Sequence, residues 1–195
     1  RRLTRATTVL ANYTWSRCIA DTLNSIVGGS GDGGPSAGYN PDGRRKERGN
    51  CKTDTRQVVN LSVVVQTPRF SSRPLRLIGS NWQISPILKL RSGQYFTVTT
   101  GVDNALNGGP NQRPNQVLAN PYMPNKSIDG WLNPAAFAPP VPGTYGNLGA
   151  QNLVGPGVFQ LDLALSRTFS IGEGKSLQLR GEAFNVINTD NFDEY

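Results

Sequence analysis

Phe159-Gln160-Leu161-Asp162-Leu163-Ala164-Leu165-Ser166-Arg167-Thr168-Phe169 alternates apolar and polar residues with a period of two. Successive side chains of a strand leave opposite faces. Phe159, Leu161, Leu163, Leu165 and Phe169 therefore share one face, and Gln160, Asp162, Ala164, Ser166 and Thr168 the other. Gly172-Glu173-Gly174-Lys175 follows as a turn, and then Leu177 and Leu179 oppose Gln178, Arg180 and Glu182. A short connection with two glycines between alternating runs predicts a hairpin.

Three earlier stretches carry the same pattern. Val9, Ala11, Tyr13 and Trp15 oppose Thr8, Asn12, Thr14 and Ser16. Val59, Leu61, Val63 and Val65 oppose Asn60, Ser62 and Gln66. Trp82, Ile84, Pro86, Leu88 and Leu90 oppose Gln83, Ser85, Lys89 and Arg91, with a bend at Ser92-Gly93 continuing into Tyr95–Thr100. Pro86 counts against a regular central strand, since it has no N–H to donate.

A soluble sandwich alternates in the same way, so the connections carry the distinction. They run long, short, long, short: roughly 40 residues (17–55), about a dozen (Pro68 to Ser80), more than 50 (101–156) and about four. In an antiparallel meander, successive connections fall at opposite ends. Both long loops then share one end, as in outer-membrane barrels with long extracellular loops and short periplasmic turns. Structureless loops of this length are uncommon in compact soluble domains.

The expected fold is thus all-β. Antiparallel up-and-down strands at about 3–16, 56–67, 81–100, 157–170 and 176–187 form part of a transmembrane β-barrel, with two long extracellular loops and two short periplasmic turns. Tyr13 and Trp15 would stand at the outer interface as part of an aromatic girdle, or else be core aromatics of a soluble sheet. Five strands cannot close a barrel, since the smallest single-chain ones use about eight. No signal peptide opens the chain, where Arg1, Arg2 and Arg5 lead straight into a strand. The expectation is a segment of a larger chain.

Composition agrees. Gly (22) and Pro (14) punctuate a chain of 195 residues in which 36% are hydrophobic, which suits many short strands better than helices. No window approaches the 18 or so consecutive apolar residues of a spanning helix. The mean hydropathy of −0.40 is compatible with a barrel, whose strands are apolar only at alternate residues.

Histidine is absent. That removes Ser-His-Asp and Cys-His sites, the commonest general base and most zinc sites, so no enzyme and no cofactor are expected. The net charge of +7 raises the question of nucleic acid. However, Glu47 interrupts the run Arg44, Arg45, Lys46 and Arg48, and no aromatic is interleaved for stacking. A solvated loop is the simpler reading, with anionic headgroups or an anionic ligand behind it.

Cys18 and Cys51 bracket one polar stretch, and outside the cell a disulfide is their natural state. Two free buried thiols are the alternative. Asp162, Arg180 and Glu182 fall on polar faces of adjacent strands and are candidates to line a lumen, paired across the hairpin or touching a plug or ligand. Two carboxylates so placed could suggest glycoside hydrolysis, but no sugar-stacking aromatic stands beside them. Trp131 and Phe137, in the Pro-rich loop, face a ligand or pin the loop to the rim. Gly101-Val102-Asp103-Asn104-Ala105-Leu106-Asn107-Gly108-Gly109 has the outline of a calcium loop. Ala105 stands where a ligand is wanted, so Asp103 is a weak metal candidate and an Asx turn the plainer reading.

Several phrases resemble one family, in its order. They are Asn12-Tyr13-Thr14-Trp15-Ser16, Asp54-Thr55-Arg56-Gln57-Val58-Val59-Asn60 and Ser92-Gly93-Gln94-Tyr95-Phe96-Thr97-Val98. Trp131-Leu132-Asn133-Pro134-Ala135-Ala136-Phe137, Leu161-Asp162-Leu163-Ala164-Leu165-Ser166-Arg167 and Arg180-Gly181-Glu182-Ala183-Phe184-Asn185-Val186 complete the set. Together they are similar to the C-terminal barrel region of TonB-dependent outer-membrane receptors of the Oar-like class, often preceded by a carboxypeptidase-regulatory-like domain. The resemblance implies a barrel of roughly twenty-two strands plugged by an N-terminal domain. It also implies uptake of a ligand powered through TonB, and outer-membrane lipid, the rest of the barrel and the plug as partners. The family continues into a last strand ending in an aromatic, whereas Asn191-Phe192-Asp193-Glu194-Tyr195 breaks alternation at Asp193 and Glu194. A secreted β-sandwich or carbohydrate-binding module, or a barrel for adhesion without transport, remains the alternative.

Overall fold

The computed structural model describes residues 2–4, 6–20, 48–108, 112–127 and 130–191. Its elements begin with β1 (Arg2–Thr4), β2 (Thr7–Trp15), β3 (Ile19–Ala20), β4 (Gly49–Asn50) and β5 (Gln57–Gln66). A short helix, α1 (Arg73–Gly79), leads into β6 (Trp82–Arg91) and β7 (Tyr95–Phe96). The long connection then holds β8 (Asn115–Gln116), β9 (Tyr122–Ser127), β10 (Gly130–Leu132), β11 (Phe137–Ala138) and β12 (Leu153–Val154). The closing hairpin is β13 (Val158–Ser170) with β14 (Ser176–Ala183).

One antiparallel sheet in the order β1-β2-β5-β6-β13-β14 organises the chain, and the fold is all-β. Its register stacks the alternating runs face on face. Tyr13 lies opposite Val59, Val59 opposite Leu90 and Leu90 opposite Phe159. The next apolar row is Ala11, Leu61, Leu88 and Leu161. Val65, Ile84 and Leu165 continue the same face, and Phe169 meets Leu177 at its far end. A slip of one residue in any strand would interrupt every row, so the shared phase of the sequence runs fixes the register.

That apolar face is bare. Leu163, Leu165, Ile84, Phe159 and Val65 all lie between 37% and 43% exposed, while Tyr13 reaches 62% and Trp15 60%. These side chains cover each other along the rows, but among the described residues no second layer is laid over them. The closely packed apolar side chains sit in the long connections instead: Ala136 is 0% exposed, Ala150 and Leu153 2%, and Leu148 3%. A sandwich places its core between sheets; the described residues of this chain do not.

Several expected boundaries move. The first strand, expected over 3–16, divides, with β1 folding back against β2 through Arg2↔Thr8. The third, expected over 81–100, ends at Arg91 and resumes only as the short β7. Pro86 stays inside β6, where the β5 ladder lapses opposite it and resumes at Val65↔Ile84. The last strand, expected to reach 187, stops at Ala183 because Asn185 turns to a φ of 48°. The stretch 101–156 is no bare loop, since β8-β11 and β9-β10 pair within it and β12 pairs back to β7; β3-β4 closes the described ends of the first long connection. Most of 17–55, with Arg44, Arg45 and Lys46, lies outside the described residues, as do Gly109 and the terminal 192–195.

Candidate functional site

Two regions carry the polar chemistry: the polar face of the sheet and the cap made by the long connections at one of its ends. On the face, Asn12, Asn60, Lys89 and Gln160 form one row across four strands. Asp162, only 8% exposed, is the most enclosed carboxylate there. It accepts from Gln160 Nε2 at 2.9 and 3.0 Å and from the Asn185 backbone N–H at 3.0 Å, with Lys89 Nζ at 3.8 Å. The expected pairing across the hairpin does not form. Arg180 Nε instead contacts Glu182 Oε1 at 2.6 Å on its own strand, because an i, i+2 pair stands side by side on one face. Asp162 turns toward β6, while β14 ends beside it.

Below this lies a polar hollow of about 270 Å³, lined by Gln66, Gln83, Ser166, Thr168, Ser170 and Gln178. Gln66 Nε2 donates to Gln83 Oε1 at 3.1 Å, fixing two of the lining amides.

The cap ties both long connections together. Cys18 and Cys51 are joined by a disulfide, with Cα atoms 5.3 Å apart. Beside it Asp54, 4% exposed, accepts from Ser16 Oγ at 2.9 Å and meets Arg56 at 3.3 Å. Arg56 also reaches Asn50 Oδ1 and lies over the Tyr95 ring. Asn50 Nδ2 donates to Gln151 O, which joins the first long connection to the second across 101 residues. Sequence reasoning noted Asp54 and Arg56 only as parts of a phrase. Their role as a buried knot depends on contacts from distant segments that no local pattern announces.

Trp131 Nε1 donates to Val154 O at 2.9 Å, and its ring meets Tyr122 edge-on at 6.4 Å. Lys126 Nζ sits over both rings. Phe137 is held in β11 against Gln116. Asp103 accepts from the Asn107 and Gly108 backbone N–H groups at 3.1 and 2.8 Å and from Gln112 Nε2 at 2.8 Å, an arrangement of a carboxylate capping a Gly turn. Tyr13 and Trp15 project from the apolar face at its capped end. Asp162, Arg180 and Glu182 thus share the sheet, Cys18 and Cys51 the cap, and Trp131 and Phe137 its rim.

A sheet with a bare apolar face, a polar reverse and long connections gathered at one end defines a membrane barrel wall. The family model for an outer membrane beta barrel domain matches residues 1–194, and the chain belongs to that family. Its place is the bacterial outer membrane. No match was found among curated proteins or among solved structures.

Proposed function

We propose that the chain is part of a TonB-dependent receptor or transporter barrel of the Oar-like class, which binds or takes up a ligand and catalyses no reaction. The observation that carries the reading is the ordered series of phrases, from Asn12-Tyr13-Thr14-Trp15-Ser16 to Arg180-Gly181-Glu182-Ala183-Phe184-Asn185-Val186, on strands of a barrel wall. The geometry suits it. The polar face carrying Asp162, Arg180 and Glu182 lines the lumen, where a plug would rest, and the knotted cap narrows the extracellular mouth. The partners are outer-membrane lipid, the remaining strands, an N-terminal plug and TonB; nucleic acid is not among them.

The test has two parts. The complete gene product should carry a plug domain and a TonB box ahead of this region. The purified protein should then bind the periplasmic domain of TonB in calorimetry, and lose that binding when the box is deleted. A complete protein with neither plug nor box would remove the transporter reading and favour a barrel that only adheres.

A further inference from the structure

The helix α1 interrupts the connection between β5 and β6, at the end of the sheet opposite the cap. Seven residues would not hold a helix in water on their own. Every residue from Arg73 to Ile78 is exposed, including Leu75 at 57%, Leu77 at 65% and Ile78 at 72%. At about 100° per residue, Leu77, Pro74, Ile78 and Leu75 cover one arc and Arg73 and Arg76 the adjoining one. Arg69 precedes them, and no carboxylate occurs between Pro68 and Trp82.

Two side chains fix where this helix sits. Trp82 and Arg167 lie opposite each other on the apolar face of the sheet. Trp82 Nε1 donates to Ile78 O at 2.6 Å, and Arg167 Nη2 donates to Leu77 O. Arg167 is further held over the Trp82 and Phe169 rings. Both anchors project from the lipid-facing side, so the helix end is tied to the outside of the wall, continuous with the apolar belt.

We propose that α1 is an interfacial anchor, its Leu75, Leu77 and Ile78 entering the acyl boundary of the periplasmic leaflet while Arg69, Arg73 and Arg76 bind anionic phospholipid headgroups. This rests on the barrel assignment and on the short connections facing the periplasm. Amphipathic helices with a basic polar arc bind in this way, and the absence of acidic residues between Pro68 and Trp82 leaves the arginine charge uncompensated within the segment.

The complete protein would be placed in nanodiscs of phosphatidylcholine alone or mixed equally with phosphatidylglycerol. An environment-sensitive fluorophore is attached at Leu75→Cys, Ile78→Cys or, as reference, Leu163→Cys; the disulfide leaves no native thiol in this chain to compete. Labels at Leu75 and Ile78 should be quenched by doxyl-labelled lipid and shielded from iodide, more so in the anionic discs. Arg73→Glu with Arg76→Glu should lower the docked-to-undocked ratio on the order of tenfold. Equal docking in both discs overturns the headgroup element. Iodide quenching of both helix labels, with Leu163 still in lipid, overturns the anchor and leaves the barrel standing. A Leu163 label in water would remove the barrel assignment, and the anchor with it.

Discussion

Gly93 shows how closely the cap is fitted to the sheet. A Cβ there would collide with the Gly155 carbonyl, an unyielding backbone group. Gly93→Ala should cost about 1–3 kcal/mol through overpacking. Urea titration of the protein folded into vesicles measures this, and an unchanged midpoint would mean that the Gly93 and Gly155 segments do not meet. The Cys18–Cys51 bond makes a second claim within the cap. Non-reduced protein should weigh about 2 Da less than the reduced chain, by loss of two hydrogens. Reduction should remove about 3–4 kcal/mol in the chain-entropy treatment of a loop this long. Two thiols that alkylate freely without reductant would contradict the bond. The cysteines were legible because two thiols bracketing a polar stretch have few other uses. The partners of Asp162 were not: the choice of Lys89 and Asn185 over Arg180 depends on where β14 ends, and a positive φ at Asn185 sets that end.

Strands read well from this sequence, and the helix did not read at all. The strands β5 and β6 span ten residues each and β13 thirteen; their alternation, interrupted at Val64, Ile87 and Arg167, is still long enough to fix both existence and register. The helix has seven residues, fewer than the window in which a 3.6 period stands out, and Pro74 with Ser71-Ser72 reads as a turn. The short pairs within 101–156 escaped for a related reason, since two-residue bridges leave no periodic trace. The two faces of β13 give a direct comparison. Leu163→Arg, on the apolar face, should cost about 2–4 kcal/mol, as cations do near a bilayer midplane. Ala164→Arg, one residue on, points to the polar face and should cost far less. Folding titrations of the pair into vesicles distinguish the faces; equal costs would mean that the alternation has no environmental meaning.

Taken whole, the chain inverts the arrangement of a water-soluble domain. Among the described residues its buried apolar side chains lie in loops, around Ala136, Leu148, Ala150 and Leu153, while the apolar rows of the sheet lie bare. In water such a surface would draw other chains. Lipid makes it stable, and the alternation that leaves one face apolar leaves the other polar. The long, short, long, short order of connections announced this arrangement, because it puts both large loops at one end of a meander. The sequence did not announce that the two loops would knit together through Asn50 and Gln151, a contact between segments that no pattern in either predicts.

The most direct test is a nitroxide scan of Phe159 to Ser166 in the complete protein within lipid, reading collisions with oxygen against collisions with a water-soluble nickel chelate. A membrane-facing strand should give a period of two, with oxygen dominant at Phe159, Leu161, Leu163 and Leu165 and suppressed at Gln160, Asp162, Ala164 and Ser166. Odd-numbered labels immobilised and shielded from both reagents, as inside a protein core, would contradict it.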